Sequence, residues 1–226
     1  MSAPLTTTAT DIVRDAAILC GAVPSGGSLD PQEIQDVLRI LNIMVKSWQS
    51  KEYLWKLSDV TVTLTPGTQS YLVGPGGSGT LQRVRPLRLK YAVRRTSGID
   101  IPLEVKSRQE YQDLPQKTQQ GPPVVAYYDP QTTNGVLYVW YTGDTANTTL
   151  ICTFSDPVDL FDTNEDTPDF PDEWIEPLTY NLAVRVAPLF GRSVPQEVIA
   201  IAAESLANMA AFDAEPSSIQ FMPEKR

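Results

Sequence analysis

From Ile34 to Trp48 the apolar residues Ile34, Val37, Leu38, Leu41, Val45 and Trp48 recur at steps of three and four. Gln35, Asp36, Arg39, Asn42, Lys46 and Gln49 fall elsewhere on the helical wheel. The spacing predicts a long helix with one core-facing stripe. Asp30-Pro31-Gln32-Glu33 marks its start, with a capping residue, a proline preset for the first turn and a carboxylate three residues after the cap. A shorter helix precedes it, capped by Thr8 or Thr10, carrying Ile12, Val13, Ala16, Ile18 and Leu19, and ending at Gly21. Pro24 to Ser28 reads as a loop.

After Leu57 the period shortens to two. Val60, Val62 and Leu64 alternate with Thr61 and Thr63, Pro66-Gly67 turns the chain, and Tyr71-Leu72 reads as the return strand of a hairpin. Leu81 to Val93 alternates again, with Pro86 favouring an edge or bulge position, and Ile99 to Val105 is its expected partner. Ser107 to Tyr111 opens a short helix. Val124–Tyr128, Val136–Tyr141 and Thr149–Phe154 are short β-branched or aromatic runs separated by Asp129-Pro130 and Gly143-Asp144.

Helical spacing returns near residue 171. Trp174, Leu178, Leu182 and Val186 share one side, and Pro188 ends or bends the last turn. Ser193 and Gln196 are spaced as a capping box for a final Ala-rich helix with Val198, Ala202, Leu206 and Met209 on one face. Each early and late helix has an apolar stripe to bury. The expected fold class is therefore α+β: a discontinuous antiparallel helical bundle with an inserted antiparallel β-domain and an extended C-terminal arm. The expected divisions are residues 1–57 and 171–212 for the bundle, 58–155 for the β-domain, 156–170 for an acidic linker and 213–226 for a docking arm.

Composition narrows the chemistry. The 226 residues carry 18 Lys and Arg against 27 Asp and Glu, a formal net charge of −9, which opposes wrapping of nucleic acid but leaves a duplex free to slide past. There is no histidine, so neither a Ser-His-Asp nor a Cys-His site can form and imidazole cannot bind zinc. Cys20 and Cys152 are far apart and read as reduced and buried. No stretch approaches the roughly 20 apolar residues of a membrane span, and the N-terminus lacks the basic-then-apolar plan of a secretory signal, so a role in solution is expected.

Several constellations invite a functional reading. Arg83, Arg85, Arg88, Lys90, Arg94 and Arg95 form the one concentrated positive run; they read as a solvated or intersubunit salt-bridging strand face, or as a phosphate contact of a nucleic-acid-binding module. Gly74, Gly76, Gly77 and Gly79 lack the Lys-Ser/Thr ending of a nucleotide loop, and read as a flexible hairpin tip able to touch another ring or a channel. Asp162, Asn164, Asp166 and Glu173 match positions one, three, five and twelve of a calcium loop, but Thr167 stands where the turn glycine belongs. Glu52 with Asp59, or Glu173 with Glu176, offers the carboxylate pair that a glycan hydrolase needs, without any sign of its separation. No catalytic, cofactor or metal site is expected. Ile219, Phe221 and Met222 form an apolar patch beyond the last helix and read as docking residues.

A family resemblance rests on residues in both halves of the chain. Asn42, Trp48, Gln49 and Trp55 in the first half, and Val158-Asp159-Leu160, Phe170-Pro171, Trp174, Tyr180-Asn181-Leu182-Ala183, Ala187-Pro188 and Phe190-Gly191 in the second, resemble the head-to-tail adaptors of podovirus-type phages, the packaged-DNA stabilisation or tubular tail proteins. The resemblance implies a structural protein and not an enzyme. It further implies a homo-oligomeric ring of about twelve copies, bound to the portal protein above and to tail or nozzle proteins below, with DNA passing through without sequence-specific binding. Such a protein is made in the host cytoplasm and resides at the head-to-tail junction of the virion.

Overall fold

The computed structural model describes residues 7–51, 56–144 and 148–212. The chain divides into two compact units, Met1–Leu54 with Asp159–Arg226, and Trp55–Val158. The first is helical and the second is built of strands, so the fold is α+β.

The helical unit holds α1 (Ala9–Leu19), α2 (Pro31–Ser50), α4 (Ile175–Val186) and α5 (Gln196–Phe212). Thr8 caps α1: its hydroxyl accepts from the Asp11 N–H while the Asp11 carboxylate accepts from the Thr8 N–H at 2.9 Å. Gly21, at φ +72°, turns the chain out of that helix in a conformation open to glycine. At α2 the Glu33 carboxylate accepts from the Asp30 N–H at 2.9 Å, and Pro31 occupies the first turn. The predicted stripe of α2 is buried at Val37, Leu38, Leu41, Val45 and Trp48. Gln49 departs from expectation: it is only 4% exposed, because the last turn of α2 sinks both Trp48 and its neighbour into the unit. Trp48 meets Trp174 at 5.9 Å between ring centroids, both fully enclosed, as core aromatics.

Helix α4 packs against α1, α2 and α5. Trp174, Leu178, Leu182 and Val186 are all buried, and each contributes about 1.5–3 kcal/mol by leaving water. The Asn181 amide donates to the Pro177 carbonyl at 2.8 Å and across to the Ala202 carbonyl of α5 at 2.9 Å, where alanine lets the backbones approach. The expected Ser193–Gln196 box is absent. The first helical bond of α5 runs from the Ile199 N–H to the Pro195 carbonyl, so the helix starts two residues later than a Ser193 cap would require.

The second unit contains two four-stranded sheets. One has the order β1 (Lys56–Thr63), β8 (Thr149–Asp156), β3 (Arg88–Thr96), β4 (Ile99–Pro102), all antiparallel. The other has the order β2 (Ser70–Val73), β7 (Gly135–Trp140), β6 (Val125–Pro130), β5 (Glu104–Val105), and its β5–β6 pair is parallel. The predicted hairpin of residues 60–72 does not form: β1 pairs with β8 and β2 with β7, so the Pro66-Gly67 turn carries the chain from one sheet to the other. Strand β3 starts after Pro86 and has an irregular register between Leu89 and Tyr91.

The inner faces share one core: Val60, Val62, Leu89, Ala92, Leu150, Cys152 and Phe154 from the first sheet, and Val73, Ala126, Tyr128, Leu137 and Val139 from the second. Strand β6 is buried on both faces. The short helix α3 (Arg108–Gln112) lays Tyr111 over Tyr127 and Tyr138, at 5.3 and 5.4 Å between centroids. Gly135 lies where any side chain would collide with the Tyr128 ring, whose hydroxyl donates to the Pro86 carbonyl at 2.9 Å.

Candidate functional site

In the helical unit, residues 159–170 form a strap across α1 and α2. Its backbone is fastened by the chain it crosses: the N–H groups of Ala9 and Thr10 donate to the carbonyls of Asp166 and Asn164, and the Thr10 hydroxyl donates to the Asn164 carbonyl at 2.6 Å. Gln35 of α2 donates to the Asn164 side chain at 3.0 Å. Asn42 makes a two-bond attachment. Its amide donates to the Phe161 carbonyl at 2.8 Å and its oxygen accepts from the Phe161 N–H at 3.0 Å, so one side chain stands in for a strand's backbone. Phe161, 3% exposed, is seated edge-on to Phe170.

Strap and helix leave between them an open groove of about 460 Å³. Ile43 and Leu160 supply its accessible apolar surface over the buried Leu38 and Phe161, and Arg39, Lys46 and Asp162 supply charge. Ile43 is 60% exposed on the flank of α2. By helical spacing alone Arg39, Asn42 and Lys46 fall on a polar face. The missed signal was Ile43 itself, a large apolar residue off the stripe between Arg39 and Lys46 at helical neighbour positions.

The strap's carboxylates serve its own backbone first. The Asp166 carboxylate accepts from the N–H groups of Asp162 and Thr163 and from the Thr163 hydroxyl at 2.6 Å, bonds that hold its pKa below the ordinary 3.8. Asn164 is committed to α1 and α2. Among the described residues no group of acidic or cysteine side chains converges as metal ligands.

In the strand unit the basic run is not one face. Arg83 is half-enclosed and pairs with the buried Asp156, which also accepts from Ser58. Arg95 grips Asp100 with two bonds of 2.6 Å across the β3–β4 pair. The Nε and Nη1 atoms of Arg94 are buried. Arg85 reaches the Pro86 carbonyl at 3.4 Å, and Arg88 and Lys90 lie at the start of β3. At least two of the six charges, Arg83 and Arg95, are thus met by carboxylates within the unit, which weakens the phosphate-contact reading.

The glycine loop is also a correction. Gly77 N–H donates to the Gly74 carbonyl, Gly74 N–H to the Leu81 carbonyl, and Gly76 N–H to the Asn134 side chain at 2.7 Å. A side chain at Gly77 would strike the Leu81 backbone. The loop is a closely packed turn between β2 and a 3-10 turn (Gly79–Leu81), not the tip of a hairpin.

Of the carboxylate pairs, Glu173 and Glu176 are exposed near the start of α4, and Asp59 accepts from the Thr153 hydroxyl at 2.6 Å. Glu52, Trp55, Ile219, Phe221 and Met222 lie outside the described residues. Cys20 and Cys152 are buried and free, and burial pushes the Cys152 thiol up to about 12.

The family model described as SU10 adaptor protein matches residues 7–219. The chain belongs to the SU10 adaptor protein family. Membership spans both units and agrees with the head-to-tail adaptor resemblance; the Asn42 and Asn181 that carried part of it are the clasps joining strap to α2 and α4 to α5. An adaptor of the phage head-to-tail junction is a structural component. No curated protein sequence matches the chain. Among the described residues no helix is long and apolar enough to cross a membrane.

Proposed function

We propose that this SU10-family adaptor assembles as a ring of about twelve copies beneath the portal, extends the DNA channel, helps retain packaged DNA and offers a platform for tail or nozzle proteins. The family match over residues 7–219 carries the reading. Large apolar residues are at least half exposed in both units, Ile43 and Leu189 in the helical one and Leu72, Val84, Tyr91 and Ile99 in the strand one, and are available to subunit contacts. Copies related by rotation close a ring through heterologous contacts, one surface of each subunit meeting a different surface of the next. Ile219, Phe221 and Met222 are the proposed docking residues of residues 213–226, and DNA passes without sequence readout.

The test is co-sedimentation of the full chain with purified portal, followed by particle imaging. A ring of adaptor copies on the portal is the expected result. A chain that stays monomeric and off the portal at micromolar concentration would overturn the proposal. Deleting residues 213–226 should leave the helical circular dichroism intact and reduce portal occupancy.

A further inference from the structure

We infer that the two ends of α4 are complementary faces of the contact between copies: the α4–α5 turn of one copy, with Arg185, Leu189 and Arg192, docks on Glu173 and Glu176 at the start of α4 in the next. The inference rests on the ring reading above and names the surfaces that close it.

Charge in this part of the chain is segregated. Eight acidic residues lie between Asp159 and Glu176, and no Lys or Arg occurs from Asp159 until Arg185. From Arg185 to Pro195 the order reverses, with two arginines and no carboxylate. Glu173 belongs to the 3-10 turn (Asp172–Trp174) that leads into α4 and Glu176 to its first turn, both exposed. Arg185 lies in the last turn and Arg192 beyond it, exposed as well. Among the described residues, no carboxylate pairs with either arginine and no cation with either glutamate. The helix dipole favours acid at the start and base at the end, but it fades within a turn. It accounts neither for Arg192 nor for Leu189, which is 52% exposed in the same turn.

That turn is fixed by its own backbone. Gly191, at φ +62°, lets the Arg192 N–H fold back to the Ala187 carbonyl at 2.9 Å while the Gly191 N–H donates to the Pro188 carbonyl at 3.2 Å, the paired bonds of a Schellman cap. Within one copy the opposite charges cannot meet. Glu176 and Arg185 are nine positions apart, about 13–14 Å along the axis and on opposite faces of the helix. Glu173 and Arg192 lie beyond either end and are farther still. Opposite charges at the two ends of one element are satisfied head to tail by a second copy, the heterologous relation that closes a ring. A single exposed ion pair contributes little, so the contact draws on several charges at once and on burial of Leu189.

The test is charge reversal in the full chain, read as ring formation on purified portal by co-sedimentation and particle imaging, with circular dichroism checking the fold of each variant. One variant carries Arg185→Glu and Arg192→Glu, the other Glu173→Arg and Glu176→Arg. Each alone sets like charge against like and should need about fivefold more protein than wild type, or more, to fill the portal. An equimolar mixture restores opposite charges at every junction of an alternating ring, and should return to within about twofold of wild type. Such rescue arises only between chains. A mixture no better than its components overturns the inference, and so does either variant filling the portal as wild type does. If a double substitution unfolds the chain, Arg192→Glu and Glu173→Arg, both outside α4, replace it in the same mixing experiment. Wild type that rings the portal while the mixture fails leaves the ring reading standing with a different contact; wild type that forms no ring removes both.

Discussion

Asn42→Ala removes the clasp that holds the strap to α2. The two bonds lost, at 2.8 and 3.0 Å, link a half-buried amide to both backbone groups of Phe161. A net value of about 0.5–1.5 kcal/mol for each hydrogen bond gives a destabilisation of about 2 kcal/mol for the pair. Water can reach the freed groups in part, so the larger penalty of fully buried orphans does not apply. The assay is urea unfolding followed by circular dichroism at 222 nm, a signal dominated by the helical unit because α1, α2, α4 and α5 all lie there. With a urea slope of about 1–3 kcal/mol/M, the midpoint should fall by about 1 M. Hydrogen exchange should accelerate at the Phe161 amide before it does in α4. A change below about 0.5 kcal/mol, with Phe161 protection intact, would refute the claim that this side chain secures the strap.

Arg83→Met should destabilise the strand unit by about 3 kcal/mol, because the Asp156 carboxylate, with its side chain 7% exposed, loses the guanidinium it pairs with; thermal unfolding read at the β-sheet dichroism checks this, and the Asp156→Asn, Arg83→Met double variant should recover part of the loss. Both thiols should resist a disulfide reagent in the folded protein and react fully in denaturant, with Cys152 the slower at alkaline pH because burial holds its pKa near 12. Acid should loosen α1 and the strap. Hydrogen bonds from Thr8 and Thr163 depress Asp11 and Asp166 below 3.8, so their stabilisation is complete above that value and fades as pH falls through the lower folded-state values. Asp166→Asn should flatten that acid dependence, measured as the urea midpoint from pH 6 to 2.

Much of the helical unit was legible in the sequence. Caps, stripes and terminating glycines are local signals, set by which residues lie three or four positions apart, and they placed α1, α2 and α4 and the burial of Trp48 and Trp174. The strands were legible as segments for the same reason, because alternation is also local. Their partners were not. Whether Tyr71 returns against Val62 or joins β7 depends on which pairing completes a core of two sheets, and no window of neighbouring residues contains that choice. The same limit applies to the basic run, whose charges looked contiguous until Asp156 and Asp100 claimed Arg83 and Arg95. It applies to the glycine loop as well, which Asn134 pins from 58 positions away. The groove belongs wholly to the tertiary structure, since it exists only where Asn42 holds Phe161 across 119 residues of chain. Periodicity specified which faces of these elements must be buried; long-range packing decided what buries them and which apolar surface stays exposed.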